Sequence, residues 1–110
     1  MARPKSQQHD LKRDEILDIA AQCFASQSYP AASMNDIATA GGTSKARLYH
    51  YYESKEAILF DLLDRYTQRL AGIVETVTAR ALAPRAHLDA LIAGFLDVYR
   101  TARTRHMALL

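Results

Sequence analysis

The chain has 110 residues, 49% of them apolar, which suffices for one modest helical domain or for one domain and part of another. Fourteen Lys and Arg against twelve Asp and Glu leave a formal charge of +2, so the bulk balance announces no nucleic-acid partner, and any such partner would have to be held by placed contacts. Cys23 is the one cysteine, which excludes an intramolecular disulfide and fits a reducing cytoplasm; the apolar run at 90–96 is far short of the ~20 residues of a membrane span, and no signal-peptide core opens the chain.

Residues 1–9, MARPKSQQH, are polar, basic at Arg3 and Lys5, and without periodicity. They read as a flexible basic arm, disordered when free, whose Arg3 and Lys5 would settle on phosphates or in a minor groove if DNA were present. A first helix is expected over 10–27, where Ile16, Leu17, Ala20, Cys23 and Phe24 follow the i, i+3, i+4 rule and form a buried stripe. Asp14, Glu15 and Asp18 face away from it. Cys23 lies on the stripe, which makes it a packed thiol, and Lys12 and Arg13 are ordinary surface charges. The residue before a proline avoids the helical region, so Ser28-Tyr29-Pro30 ends the helix, with Tyr29 plugging the junction to the next one.

The chain is organised around residues 33–55, SMNDIATAGGTSKARLYHYYESK. Ser33 is placed to cap a short helix, and Asp36 sits where the positive end of the helix dipole favours a carboxylate. Met34, Ile37 and Ala38 give that helix an apolar face, and Gly41-Gly42 breaks it, glycine taking a left-handed conformation at little steric cost. Ser44 can cap a second short helix that carries Leu48 and Tyr52 on one side. Ala46, Arg47, Tyr49 and His50 then lie on or beside the outward face, with Lys45 in the first turn. This is a helix-turn-helix. From Ile37 to Tyr52 there is no acid, while Lys45, Arg47 and His50 supply charge and Tyr49, Tyr51 and Tyr52 are interleaved with them. Such a helix can enter a DNA major groove, its N-terminal residues reaching base edges and its flanks reaching phosphates. Taken alone, the same pattern also fits a helical hairpin whose basic face is merely solvated.

A long helix is expected from Ser54 to about residue 78, on the stripe Ile58, Leu59, Leu62, Leu63, Tyr66, Leu70, Ile73, Val74 and Val77. At 1.5 Å per residue it is roughly 35–40 Å long, enough to link two lobes. Lys55 and the N–H groups of its first turn make a ready phosphate site. Residues 79–84 connect, and Pro84 starts a fifth helix to about residue 102 with Leu88, Leu91, Ile92, Phe95, Leu96 and Tyr99 on its apolar face. TRHMALL beyond it reads as the opening turns of a further helix, Leu109 and Leu110 ending an amphipathic stripe that is not closed.

The run IATAGGTSKARLYHYYESKEAIL, with RDEILDIAAQCFASQSYPAAS ahead of it, closely resembles the N-terminal DNA-binding domain of TetR-type transcriptional regulators. The likeness spans about residues 12–63, just under half the chain. It rests on an IL-x-x-A-x-x-x-F first helix, an aromatic loop, D-I-A, an S-K-x-x-L-Y-x-Y recognition segment and S-K-E opening the fourth helix. The resemblance implies an all-α chain: a three-helix head over 10–53, then over 54–110 the start of a helical ligand-binding and dimerisation domain that is truncated here. It implies double-stranded DNA as partner, a homodimer in the complete protein, a small-molecule effector whose pocket is incomplete in this chain, and repression at a palindromic operator.

Within the site, Ser44, Lys45, Ala46 and Arg47 fall on the recognition segment, where Lys45, Ala46 and Arg47 would approach bases and Arg47 is best suited to a bidentate guanine contact. The resemblance assigns Ser33, Thr43, Tyr49, His50 and Lys55 mainly to the phosphate backbone. Two departures stand out. Gly42 occupies a position where the family usually has a small aliphatic residue, which implies a looser turn. Tyr52 replaces the usual Phe, and its hydroxyl needs a partner if buried.

No enzyme is expected. GGTSK has the wrong order for a phosphate-binding loop. His9, His50, His87 and His106 with Cys23 show no metal-ligand spacing, and no cofactor is implied. His50 has no nearby carboxylate in sequence to orient it as a base. The competing expectation is a helical interaction module that pairs with another regulator through its fourth and fifth helices without binding DNA itself.

Overall fold

Five helices follow one another in the computed structural model, which describes the backbone of residues 5–101 and 103 and the side chains of 12–101 and 103. They are α1 (Lys5–Gln27), α2 (Met34–Ala40), α3 (Lys45–Tyr51), α4 (Lys55–Ala79) and α5 (Pro84–Thr101), and no strand occurs among the described residues. α1 opens five residues before the expected start at 10, so residues 5–9 carry helical backbone where an arm was expected. The run 5–9 holds no Gly or Pro, so a helix nucleated by the packed stretch behind it can propagate outward. Arg3 and the side chain of Lys5 lie outside the described residues, as do residues 104–110.

α1 stops because Ser28 adopts φ 76°, the left-handed region, after which the chain turns through Tyr29 and Pro30 and Ala32 N–H donates to Ser28 O at 3.1 Å. α2 opens on a reciprocal capping box. Asp36 N–H donates to Ser33 Oγ at 3.1 Å, and Ser33 N–H donates to Asp36 Oδ2 at 2.9 Å. Its other end is a Schellman motif: Gly42 N–H donates to Thr39 O at 3.1 Å and Thr43 N–H to Ala38 O at 3.0 Å. Gly42 sits at the left-handed position of that motif, φ 64°, and a Cβ built there would meet nothing within 4 Å. The expectation of a turn loosened by Gly42 is therefore corrected. The position favours glycine for its backbone, and the tight place is Gly41, whose Cβ would lie 3.3 Å from Ile19 Cδ1.

Ser44 caps α3 by accepting from Arg47 N–H at 3.1 Å, and Ser54 caps α4 by accepting from Ala57 N–H at 3.1 Å. Leu17 of α1, Ile37 of α2, Leu48 of α3 and Ile58 and Leu62 of α4 are all under 2% exposed or close to it and meet in one core with Phe24, Met34, Cys23 and Tyr52. Each large aliphatic side chain so buried contributes on the order of 2 kcal/mol. The core thus joins α1, α2, α3 and the first half of α4.

The second half of α4 packs on α5 instead. Val77 and Val98 are buried between them, Arg69 Nη2 donates to Thr101 Oγ1 at 2.7 Å, and Gly94 lets the helices approach until a Cβ there would stand 2.6 Å from Ile73 Cγ2. The face α5 turns to α4 is that of His87, Leu91, Gly94 and Val98. Leu88, Ile92, Phe95, Leu96 and Tyr99 are 38–56% exposed, so most of the stripe read as its apolar face lies away from α4. α5 is apolar around more than half its circumference, and the small residue decides which part seats on the neighbour.

Candidate nucleic-acid interface

α3 is seven residues long, and one stripe of it, Leu48 with the capping residue Tyr52, points into the core. At 100° per residue, Ala46 and His50 then fall almost opposite Leu48, with Arg47 and Tyr49 on the two shoulders. Lys45, Ala46, Arg47, Tyr49 and His50 are all exposed. The structure therefore brings five of the nine expected site residues onto one solvent-facing surface about two turns long. The His50 ring meets the Tyr51 ring edge-on, centroids 5.2 Å apart, and these aromatics close the C-terminal end of the helix.

Two helix N-termini flank that surface on the Lys45 and Tyr49 side. A shallow groove of about 480 Å³ there is lined by Ser33 and Asn35 at the start of α2, by Ser54 and Lys55 at the start of α4, and by Lys45 and Tyr49 between them. Each cap serine accepts one backbone N–H and keeps its hydroxyl proton to donate. In α4 the N–H groups ahead of Ala57 have no acceptor within the helix. The dipole of a 25-residue helix adds positive potential at the same place, opposed by Glu53 and Glu56 on the rim. On the other side, Thr43 is half-buried, and with Arg47, Tyr51 and Lys12 it edges a small notch of about 50 Å³ over Ile16, Ile37 and Leu48.

The side chain of Lys55 lies at the edge of this groove with its charge engaged by the neighbouring loop. Its ammonium turns inward and donates to the carbonyls of Tyr29 at 2.8 Å, Ala32 at 3.1 Å and Pro30 at 3.4 Å, while standing 4.4 Å from the centre of the Tyr29 ring. In this arrangement the ammonium is engaged by the loop carbonyls, so a phosphate contact by Lys55 would draw on its backbone N–H or displace those bonds. The turn after Ser28 aims three carbonyls at one point, and a cation with three donors satisfies them together. Tyr29 does pack at the junction expected of it, edge-on to Phe24 with centroids 5.1 Å apart. Burial and then the Glu56 carboxylate, which also takes its hydrogen bond, push the Tyr29 hydroxyl above its ordinary pKa.

Sequence reasoning missed a polar chain behind α3. Tyr52 OH donates to Asp61 Oδ2 at 2.5 Å, Arg65 Nε donates to Asp61 Oδ1 at 3.1 Å, and Arg65 Nη1 reaches Asp14 Oδ1 on α1 at 3.5 Å. Arg13, read as a surface charge, lies over the Tyr52 ring at 5.4 Å. Burial, then the bond to Asp61, push the Tyr52 hydroxyl well above the usual tyrosine range. The spacing of Asp61 and Arg65, one helical turn apart, was the signal available.

Among the described residues no group of His, Cys, Asp and Glu is arranged to hold a metal ion, and no helix is long and apolar enough to cross a membrane. The Cys23 thiol is buried, and burial followed by the nearby Asp36 raises its pKa.

Residues 16–62 match the model of the family described as bacterial regulatory proteins, tetR family. The HTH-type transcriptional repressor KstR2 of Rhodococcus jostii is 38% identical over 81 residues, which is 74% of this chain and 40% of that protein. KstR2 of Mycolicibacterium smegmatis is 30% identical over 96% of this chain and 50% of its own length. A crystal structure of a TetR-family transcriptional regulator from Bordetella parapertussis superposes with a TM-score of 0.85 at 39% identity, over 89% of this chain and 51% of that one. The chain thus spans about half the length of the relatives it matches, and these relatives are regulators of transcription, not enzymes. With the all-helical fold, the capped helix-turn-helix and these matches in agreement, residues 16–62 form a domain of the tetR family of bacterial regulatory proteins.

Proposed function

We propose that this chain binds double-stranded DNA through α3, as the recognition half of a cytoplasmic, ligand-responsive repressor. The observation that carries the reading is the acid-free, exposed face of α3 standing between the capped N-termini of α2 and α4. On this reading α3 enters the major groove, Arg47 takes a guanine edge with Lys45 and Ala46 beside it, and Ser33, Thr43, Ser44, Tyr49 and His50 hold the phosphate backbone. Lys55 contributes its backbone N–H at the start of α4, its side chain being engaged with the Tyr29 loop. Residues 10–53 act as the head, and residues 54–110 as the beginning of a helical domain that binds a small-molecule effector and pairs two subunits. A pair of heads about one DNA turn apart (~34–36 Å) reads a palindrome, and the effector changes their separation.

The test is selection from a pool of random duplexes, with sizing of the bound species. Enrichment of a defined half-site or palindrome supports the reading, and a two-subunit complex supports pairing as well. Retention without enrichment at any position contradicts it.

A second reading is favoured by the uncovered α5 face of Leu88, Ile92, Phe95, Leu96 and Tyr99. There the chain is a helical module that pairs with another regulator. Self-association without DNA retention at low salt would favour that reading.

A further inference from the structure

α3 is too short to orient itself. Its seven residues make fewer than two turns, seated by buried Leu48 and Tyr52 with Tyr51 partly packed beside them. Hydrophobic contact of this kind is non-directional and does not by itself fix the tilt of so short a helix. The bond from Tyr52 OH to Asp61 Oδ2 is directional, and it crosses from the C-cap of α3 to the middle of α4's packed half. Its acceptor is itself fixed. Arg65 grips the other Asp61 oxygen from one turn further along α4 and reaches Asp14 on α1, while Arg13 covers the Tyr52 ring from the same helix. The buried Nε of Arg13 has no partner in this arrangement, so its guanidinium serves the ring and not a hydrogen bond at that atom.

We infer that Tyr52 and Asp61 form the joint that sets the orientation of α3 against α4, Tyr52 being a positioning residue for DNA binding that itself touches no DNA. The inference rests on the reading of α3 as the DNA-facing helix. Lys45, Ala46, Arg47, Tyr49 and His50 are on the opposite side of the same two turns, so a tilt at Tyr52 displaces all five together. α4 runs on from Asp61 to the contacts of Ile73 and Arg69 with α5, so one helix carries both the joint and the α5 seam.

The experiment compares the chain with Tyr52→Phe, Asp61→Ala, Asp61→Asn and the double variant Tyr52→Phe/Asp61→Ala, each checked for folding by circular dichroism. Affinity for the tightest-binding duplex is measured against salt, and the amide shifts of residues 45–51 are recorded by NMR without DNA. Tyr52→Phe and Asp61→Ala should each lower affinity roughly tenfold. Neither should change the salt slope, because no phosphate contact is lost. The double variant should bind no worse than either single one, the signature of a shared interaction. Asp61→Asn keeps an acceptor and should retain most of the affinity. Both single variants should move the same set of α3 amides.

Full affinity in Tyr52→Phe, or additive losses in the double variant, would overturn the joint. If the unsubstituted chain binds no duplex, the DNA reading fails by itself and the NMR comparison decides. Shared displacement along 45–51 upholds the joint, and changes confined to the neighbours of residues 52 and 61 overturn it.

Discussion

Lys55 and Tyr29 are joined twice, the ammonium donating to the Tyr29 carbonyl at 2.8 Å and facing its ring at 4.4 Å. The contact ties the first residue of α4 to the turn between α1 and α2, 26 positions earlier, and so fixes the two helix N-termini that border the proposed interface. Removing it leaves carbonyls of a half-buried loop without their cation.

Lys55→Ala should therefore destabilise the fold by about 1.5–3 kcal/mol, the range for hydrogen bonds to a charged group. DNA affinity should fall with it, but the dependence of log affinity on log salt should keep its slope. A lysine bound to phosphate would instead flatten that slope by ~0.9. Thermal melts together with a salt titration separate the two outcomes, and a flattened slope at unchanged stability would contradict the loop-clamp role.

Tyr52 gives the protein an alkaline limit. Its pKa is raised, first by burial and then by the hydrogen bond to Asp61, so the folded state holds the phenol proton more tightly than the unfolded state does. The stabilisation is whole below the ordinary tyrosine value of ~10 and is lost as pH rises above it toward the folded value. Tyr29 is shifted in the same direction. Stability measured by urea at pH 7 to 11 should thus fall on the alkaline side, and Tyr52→Phe should make that fall shallower while lowering stability at pH 7. An equally steep alkaline fall in the variant would show that Tyr52 is not its main source.

Gly94→Ala probes the α4–α5 seam. A methyl there would gain up to ~1 kcal/mol of helix propensity but would press on the branched Ile73 side chain at 2.6 Å, where overpacking costs about 1–3 kcal/mol. A lower melting temperature is expected, with hydrogen exchange accelerated in α5 and unchanged in α1–α3. A raised melting temperature would mean the seam has room to yield.

What could be read from the sequence was what local chemistry decides. Ser33 and Ser44 cap the helices they precede, the long helix opens at Ser54, Pro84 opens α5, and Leu48 with Tyr52 marks the inward side of α3, because caps and apolar spacing act within a few residues. The Tyr52 hydroxyl could be recognised as needing a partner, but which partner depended on α4 passing behind α3. The loop contacts of Lys55 were not legible, because a lysine at a helix start looks the same whether it faces solvent or a loop; the carbonyls it meets lie more than 20 residues away. α5 resisted for another reason. Both of its sides are apolar, so periodicity could not choose the seam, and Gly94 did.

The most direct test of DNA recognition by α3 compares the chain with Arg47→Ala on a selected duplex and on random duplex at several salt concentrations. Arg47 is exposed on the shoulder of α3, its backbone N–H donating to the Ser44 cap while its side chain edges the notch beside Tyr51. The expected result is a loss of about 1–3 kcal/mol on the selected duplex, little change on random duplex, and relaxed preference at one base pair. An equal loss on both duplexes, or none on either, would contradict base reading by this face of α3.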